Sequence, residues 1–435
     1  MCGMLGWSML VNIIAVVLPY FYLPPSNSGL IPLLPQFVIL GVFNLLAIIT
    51  SAGRLFDAFY DPFIGQLSDR TKSKKGRRIP FMLVSVIPSL LFCCFVFIPI
   101  TRSANTGNAW WLSITLLLFF VSATTYIIPY NALMPELAHS SSDKVRLSTF
   151  QQVGFALGIV FAASVNNIAD FFQNTFHVEN RMEAVQYAIR SLVALAGTGM
   201  FIPAVFINER KYCKAQPSGS PIIPAMKQAF LSRNFRYYVL ADFSYYMALY
   251  IITSGLLFYL TVLCRLPESM GVILMGIMVA VSLLFYPLIN LLAAKFGKKN
   301  IVLYSFVMLS GIFVFIYFLG KLPVSPVVQI YSMVVLAGFP LASLGILPTA
   351  ILAEIAEQDA TRTGENKEGL YFAVKYFVVK LGQTFGISLF AMLTLYGKDP
   401  DNDFGLRLNG VFGATLCIMA AVSFSRFREN KSRPT

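Results

Sequence analysis

Long apolar stretches alternate with short polar connections along the whole 435-residue chain. Twelve stretches reach the length of about 20 residues that a helix needs to cross a bilayer. They lie at 3–23, 37–67, 80–100, 109–137, 148–171, 187–208, 237–263, 269–294, 300–320, 326–355, 369–396 and 404–425. The pattern predicts an all-α integral membrane protein with twelve transmembrane helices, numbered here as spans 1 to 12.

The composition narrows the function class. The chain is 57% hydrophobic and 12% charged, whereas soluble domains average about 45–50% apolar and about 25% charged residues. Its six cysteines form no CxxC motif, and its two histidines, His139 and His177, lie in polar connections. These features exclude a soluble enzyme, a disordered chain and a disulfide scaffold, and they predict no cofactor and no catalytic residues.

One long polar segment divides the spans into two sets of six. We therefore predict a first bundle at 1–207, a linker at 208–236, a second bundle at 237–428 and a tail at 429–435. A weak repeat supports this division, because DPFIG (61–65) followed by GRR (76–78) resembles YPLIN (286–290) followed by GKK (297–299). Two similar halves are typical of transporters that alternate access to a central site.

The net charge is +13, and most of the lysines and arginines follow even-numbered spans or lie in the tail. The positive-inside rule then places both termini and the linker in the cytoplasm. We attribute the excess charge to this topology at the bilayer surface and predict no nucleic-acid partner.

A few charges interrupt the apolar pattern. Span 2 carries Arg54, Asp57 and Asp61, which fall on one helix face, and span 11 carries Lys375 and Lys380. Ionisable side chains inside a membrane are costly and mark functional sites. Paired carboxylates favour a shared proton or a bound cation such as sodium, at Asp57 and Asp61. The alternative is a permanent structural network with Arg54 and Lys380 as charge partners.

A second group of charges lies at the ends of spans. The connection after span 2 contains Asp69-Arg70 and Gly76-Arg77-Arg78. Arginines near a helix C-terminus can bind its free carbonyl groups and act as a latch. Together with Glu136 and Glu354, at matching ends of spans 4 and 10, these residues form a predicted cytoplasmic gate, with simple solvation as the alternative. We read Asp242, near the start of span 7, in the same way.

Several motifs carry a family resemblance. They are DAFYDPFIG (57–65) with SDRT (68–71) and GRRIP (76–80), IPYNALMPEL (128–137), AEIAEQD (353–359) with Thr363-Gly364 and Glu368-Gly369, and VVKLG (378–382). The chain thereby resembles the glycoside-pentoside-hexuronide:cation symporters, the melibiose-permease branch of the major facilitator superfamily. The resemblance implies the major facilitator fold, with two six-helix bundles.

The resemblance also implies roles for residues. Asp57 and Asp61 match the family's cation-binding aspartates, Thr124 matches a contributing threonine, and Lys380 matches the lysine near that site. Three positions depart from the sodium-using melibiose permeases, because Ser8 replaces an aspartate, Ile127 replaces a sugar-contacting acid and Asn131 replaces a tryptophan. The resemblance therefore supports the family's cation site in this chain more strongly than its sugar site. A proton is the alternative to sodium as the coupling ion.

A sugar-like solute needs hydrogen-bonding groups and aromatic rings. Candidates in the first bundle are Asn12, Tyr20, Tyr126, Tyr130, Asn131, Gln151 and Gln152, and those in the second are Tyr245, Tyr246, Tyr250 and Gln383. Aromatic residues in spans also serve packing, and buried amides also bond neighbouring helices, so both readings remain open.

The sequence predicts a secondary active transporter of the cytoplasmic membrane that functions as a monomer. Its expected solute is a sugar or glycoside, moved together with sodium or a proton. The alternative is a lysolipid or another amphipathic solute. A membrane enzyme or a passive channel is a third class, and neither is supported by a residue cluster.

Overall fold

The fold was analysed in a computed structural model. It describes residues 1–22, 24, 31–35, 38–39, 43–138, 140–212, 227, 229–267, 270–365, 367–394, 396–397 and 401–428. Most of the predicted linker and the whole predicted tail 429–435 lie outside these residues. The bundle and linker boundaries stay predictions.

Helices dominate the described residues. In chain order they are α1 (Cys2–Tyr22), α2 (Leu45–Arg70), α3 (Ile79–Val96), α4 (Thr106–Leu137), α5 (Ser141–Ala163), α6 (Val165–Phe176), α7 (Arg181–Phe206), α8 (Glu209–Tyr212), α9 (Arg233–Phe258), α10 (Met270–Phe296), α11 (Lys298–Phe318), α12 (Pro326–Thr363), α13 (Glu368–Thr394) and α14 (Phe404–Ser425). A π-helical turn, Tyr259–Leu263, extends α9.

Eleven of the described helices are long and apolar enough to cross a membrane. α2 has 26 residues but carries five charged residues, Arg54, Asp57, Asp61, Asp69 and Arg70. α2 lies at the position of predicted span 2, and its charges set it apart from these eleven helices. The predicted all-α membrane fold with twelve spans is confirmed.

Two of the predicted spans are not single continuous helices. Span 2 was placed at 37–67, but residues 38–44 contain a short antiparallel pair, β1 (Val38–Ile39) with β2 (Phe43–Asn44), and α2 begins at Leu45. β-branched residues such as Val38 and Ile39 favour extended backbone. Span 5 was placed at 148–171, but the helix breaks at Ser164 into α5 and α6.

Side-chain caps fix the starts of two helices. Asn105 accepts a hydrogen bond from the Gly107 N–H at 2.8 Å before α4, and Asn180 does the same for Met182 at 2.9 Å before α7. Asparagine is a preferred N-cap because its side chain replaces a missing intrahelical acceptor. These caps set where the polar connections end and the spans begin.

The chain forms two compact units. The first contains Met1–Ala138, Phe150–Ile222 and Asp359–Ala373, and the second contains His139–Thr149, Ile223–Gln358 and Val374–Thr435. In the first unit, α2 and α3 pack on α4, and α1, α3 and α6 pack on α7. In the second, α9 and α11 pack on α14, and α10 packs on α11.

Small residues allow close helix packing in the first unit. A Cβ atom at Gly158 would lie 2.5 Å from the Ser8 Cβ atom, and one at Gly199 would lie 2.9 Å from the Cys2 carbonyl oxygen. Membrane helices approach closely where such residues line the contact. Buried Ser8 is held there by a 2.7 Å hydrogen bond to the Phe155 carbonyl oxygen.

Candidate functional site

The two span 2 aspartates lie on α2 and are buried, Asp57 with 5% and Asp61 with 0% of its surface exposed. α2 packs against α4, where the buried Thr124 donates its hydroxyl hydrogen to Asp57 Oδ1 at 2.6 Å. A hydroxyl bond to an ionised carboxylate is short and strong. The structure therefore brings Asp57 and Thr124 together and places Asp61 one turn farther along the same helix.

The electrostatics of this arrangement favour a cation. Side chains four residues apart on a helix are neighbours, with about 5–6 Å between their Cβ atoms, and two buried carboxylates at that spacing repel each other. Oxygen ligands suit hard cations, so Asp57, Asp61 and Thr124 have the chemistry to hold sodium, and either carboxylate can hold a proton. In the described part of the chain, no three His, Cys, Asp or Glu side chains form a metal-binding group.

The predicted charge partners lie in different units. Arg54 is half-buried on α2, one turn before Asp57, and belongs to the first unit. Lys380 is half-buried on α13 and belongs to the second unit. Their role in balancing Asp57 and Asp61 stays a prediction.

A buried network of charges lies at the end of α2 in the first unit. It contains Asp69, Arg77, Arg78, Glu136 and Glu368, and we call it the arginine cluster. Arg78 forms an ion pair with Asp69 and lies 3.3 Å from Glu136 and 3.4 Å from Glu368. Arg77 lies 2.8 Å from Glu136 and 3.7 Å from Glu368. Four of the six predicted gate residues thus share one network.

The arginine cluster also holds the first turn of α13, which the sequence did not reveal. Asp69 accepts hydrogen bonds from the backbone N–H groups of Gly369 at 3.1 Å and Leu370 at 2.9 Å. The first N–H groups of a helix lack intrahelical acceptors, and a carboxylate there is favoured by the helix dipole. A Cβ atom at Gly369 would lie 2.6 Å from the Gly65 carbonyl oxygen, so this approach requires glycine.

The surrounding carboxylates control the charge of Arg78, which lies in the connection before α3. Burial alone lowers the pKa of a guanidinium, but the carboxylates of Asp69, Glu136 and Glu368 raise the pKa of Arg78 above its ordinary value. The arginine therefore stays charged at every physiological pH.

Glu209 anchors the connection that carries the two arginines. Its carboxylate is buried and accepts hydrogen bonds from the backbone N–H groups of Arg77 at 2.6 Å, Arg78 at 2.9 Å and Ile79 at 3.2 Å. It thereby caps the first turn of α3 from a distant part of the chain. Glu209 lies in the predicted linker, and the signal in the sequence for this capping role was an acidic residue directly after a span.

Replacing Glu209 by alanine is expected to lower the free energy of unfolding by about 2 kcal/mol, because it leaves three backbone N–H groups without their acceptor. Glu209→Gln keeps one acceptor oxygen and should cost less. The thermal unfolding midpoint of the purified protein in detergent measures both. Glu183→Ala, at a partly exposed carboxylate paired with Arg102, is the matched control, and equal losses in the two alanine variants would contradict the capping role.

The second unit contains a counterpart of the Arg77–Glu136 pair. Lys298, at the start of α11, forms an ion pair with Glu354 of α12. The glycine before each basic pair has a positive φ, 109° at Gly76 and 82° at Gly297, a conformation that favours glycine. The short repeat seen in the sequence therefore corresponds to a glycine with positive φ and the same type of ion pair in each unit.

Two other charged residues lie near helix ends, Arg70 and Lys144. Arg70, predicted as a gate residue, is exposed in the last turn of α2. Lys144, near the start of α5, is buried and forms an ion pair with Glu357 of α12. Lys144 and Glu357 both belong to the second unit, and this pair was not predicted because its members are 213 residues apart in the sequence.

The amide candidates for solute binding in the first unit bond neighbouring protein groups. Asn12 donates to the carbonyl oxygen of Ser8 at 2.8 Å and to its hydroxyl at 3.1 Å. Asn131 donates to the Ile127 carbonyl oxygen at 3.0 Å, and Gln151 donates to Asn131 Oδ1 at 3.0 Å. The reading in which buried amides stabilise the helices therefore has direct contacts in the structure.

The aromatic candidates of the first unit are packed in a similar way. Tyr126 donates its hydroxyl hydrogen to the Met200 carbonyl oxygen at 2.9 Å and stacks on Tyr130 with 5.7 Å between ring centroids. Gln152 is half-buried on α5. Tyr20 lies in α1, but its side chain is outside the described part of the structure.

Aromatic candidates also meet in the second unit. Buried Tyr245 contacts Tyr246 edge-on, with 5.0 Å between ring centroids. Tyr250 of α9 and Gln383 of α13 are half-buried. Solute contact by any of these residues stays a prediction.

Three comparisons relate this geometry to known proteins. The chain is 23% identical to the glucuronide carrier protein homolog of Escherichia coli over 78% of this chain and 73% of that protein. It is 28% identical to the zebrafish (Danio rerio) sodium-dependent lysophosphatidylcholine symporter 1-A, over 27% of this chain and 22% of that protein. The crystal structure of the E. coli fucose:proton symporter FucP matches with a TM-score of 0.64 and 12% identity, covering 99% of this chain and 98% of that chain.

The structural match shows the major facilitator fold that the sequence motifs had implied. The family described as MFS/sugar transport protein matches residues 1–424, so the match includes all fourteen described helices except the last residue of α14. The resemblance to the glycoside-pentoside-hexuronide:cation symporters is confirmed, and the chain belongs to the MFS/sugar transport protein family.

Proposed function

We propose that this chain is a cation-coupled secondary transporter that moves a small polar solute together with sodium or a proton by alternating access. The observation that carries the proposal is the buried pair of α2 carboxylates, with Thr124 hydrogen-bonded to Asp57. Buried acids of this kind are costly to maintain. A site that binds and releases a cation accounts for that cost.

The coupling follows from charge. With Arg54, Asp57 and Asp61 all ionised, the polar face of α2 carries one net negative charge. A bound sodium ion or proton neutralises it, and release of the cation restores it. Because a cation that binds one conformation better than another shifts the population between them, loading of Asp57 and Asp61 can drive the conformational cycle. Lys380 is proposed to respond to the same change in charge.

The solute class is proposed to be a sugar or glycoside. The name of the glucuronide carrier homolog, which matches most of this chain, supports a glycoside. The aromatic rings and amides on α1, α4, α5, α9 and α13 supply the groups that such a solute needs. No covalent chemistry, resident cofactor or partner subunit is required for this activity.

The arginine cluster is proposed to act as the gate on the cytoplasmic side. The placement on that side comes from the excess of basic residues in the same connections. A gate of this kind has two states. The carboxylates and arginines are paired and fully desolvated in one conformation, and they are hydrated in the other. The ion pairs of Glu354 with Lys298 and of Glu357 with Lys144 are proposed to act in the same way in the second unit.

A lysolipid or another amphipathic solute is the second candidate. The 28% identity to the lysophosphatidylcholine symporter supports it, but this match covers 27% of the chain. The glycoside proposal is supported over a much larger part of the sequence. The two candidates make different predictions for the same transport assay.

The test is a solute screen with the purified full-length protein in lipid vesicles. A sodium gradient or a proton gradient is imposed separately, and uptake of labelled sugars, glycosides, uronides and lysophosphatidylcholine is measured. We expect one sugar-class solute to accumulate above its external concentration with one of the two gradients. Accumulation of lysolipid alone would assign the second candidate, and equilibration that ignores both gradients would contradict coupled transport.

A further inference from the structure

The second unit contains a buried pair of opposite charges that has no role in the proposed cation site. Asp242 of α9 is 4% exposed and Lys375 of α13 is 6% exposed. Lys375 donates a hydrogen bond to the hydroxyl oxygen of Thr349, on α12, at 2.8 Å. These three residues and Tyr238 of α9 are called the α9–α13 cluster below.

The cluster lies well inside its helices. At 1.5 Å per residue, Asp242 is about 13 Å from the start of α9 at Arg233, and Lys375 is about 10 Å from the start of α13 at Glu368. The sequence places Asp242 near the start of predicted span 7, where it was expected to act as a gate residue. Because α9 begins at Arg233, before the predicted start of the span at 237, Asp242 lies farther from the helix end than expected.

The cluster is short of hydrogen bonds. Asp242 Oδ2 and the Tyr238 hydroxyl oxygen are both buried and have no hydrogen-bond partner among the described residues. An ammonium group has three N–H donors, and the bond to Thr349 uses one of those on Lys375. Asp242 and Lys375 attract each other electrostatically, but they form no direct ion pair within the described structure.

The surroundings of Asp242 are aromatic. The groups that interact with it electrostatically are Lys375 of α13 and the phenols of α9, at Tyr238, Tyr245 and Tyr246. From other helices, Tyr376 of α13 interacts electrostatically with Tyr238 and Tyr246, and Cys417 of α14 interacts electrostatically with Tyr245. Lys375 is the one cation in this set, so the charge state of Asp242 determines the net charge of the cluster.

We infer that Asp242 is a proton-binding site of the second unit, balanced by Lys375 and separate from the carboxylates of α2. A buried carboxylate oxygen that accepts no hydrogen bond is costly when ionised, whereas a nearby positive charge favours ionisation. These two effects oppose each other at Asp242, so both protonation states are accessible. The proton is taken from water onto the carboxylate, and no other bond changes.

This proton changes the charge of the second unit. Protonation of Asp242 adds one positive charge to the cluster. The chain therefore has a titrating group that does not depend on cation binding at Asp57 and Asp61. Protonation of Asp242 requires no particular solute, so it can be measured while the transported solute is still unidentified.

The experiment is infrared difference spectroscopy of the full-length protein in lipid bilayers during a change of pH. It reads the C=O stretch of protonated carboxyl groups. We expect a band that grows as the pH falls, persists in the Asp57→Asn/Asp61→Asn variant and is lost in Asp242→Asn. In Lys375→Met the same band should remain to higher pH, because the compensating positive charge is gone.

Asp359→Asn is the matched control, because Asp359 is also buried with a partnerless Oδ2 but forms a direct ion pair with Arg362 at 3.2 Å. It should leave the Asp242 band unchanged. A band of wild-type amplitude in Asp242→Asn would overturn the inference, as would a wild-type protein with no pH-dependent band beyond that of the α2 carboxylates. If Asp242→Asn fails to fold, an unchanged titration in folded Lys375→Met would overturn it equally.

Discussion

Replacing Asp57 by asparagine is expected to abolish accumulation of solute against a gradient. Asparagine has nearly the same shape and keeps an oxygen that can accept the Thr124 hydroxyl hydrogen, so the change removes a charge and little else. Loss of a charged ligand should weaken cation binding by about 100-fold or more, since even the groups that support metal ligands contribute about 10–100-fold. Gradient-driven uptake into vesicles is the measurement.

Two further variants separate the charge of Asp57 from its surroundings. Thr124→Val removes the hydroxyl at constant shape and should give a smaller loss of cation affinity, while Thr124→Ser should retain transport. Asp170→Asn changes an exposed carboxylate on α6 and should leave uptake unchanged. Accumulation at the wild-type level in Asp57→Asn would show that the α2 carboxylates do not couple a cation to transport.

Replacing Arg78 by methionine is expected to lower the free energy of unfolding by about 3–5 kcal/mol. Removing one member of a buried ion-pair network leaves the remaining charges buried without compensation, and Arg78 faces Asp69, Glu136 and Glu368 together. Arg78→Lys should recover part of this loss, because an ammonium group keeps the charge but not the planar, multiply bonded geometry. The thermal unfolding midpoint in lipid nanodiscs measures the difference.

The control for Arg78 is an arginine with the same charge at the surface. Arg102 pairs with Glu183 at 2.9 Å, but its side chain is 67% exposed. Exposed pairs contribute about 0–1 kcal/mol, so Arg102→Met should barely change the unfolding midpoint. Equal effects of Arg78→Met and Arg102→Met would contradict the account of a desolvated network at the end of α2.

The apolar pattern was sufficient to predict the fold, because lipid requires each spanning segment to satisfy its own backbone hydrogen bonds. Asp57 and Asp61 stood out in the same pattern, because ionisable side chains inside a span are costly and mark functional sites. It failed at residues 38–44, where a hydrophobic stretch forms β1 and β2 instead of a helix. There the composition alone did not distinguish an extended segment from the start of a span.

The contacts at the ends of the helices were less predictable. Glu209 and Glu368 come from distant parts of the sequence to meet Arg77 and Arg78, and no local pattern encodes such a meeting. The sequence also did not identify the hydrogen-bond partners of the buried amides. Asn131 and Gln151 were candidates for solute binding because a buried amide needs a partner, and the structure shows that they bond each other.

The proposal that a cation and a solute move together is tested most directly by following the cation. Vesicles that contain the purified protein receive the solute identified by the screen, with no ion gradient imposed, and entry of protons or radioactive sodium is recorded. We expect the solute to drive one of these cations inward in the wild type and to drive none in Asp57→Asn. Solute entry without movement of either cation in the wild type would contradict coupling at the α2 carboxylates.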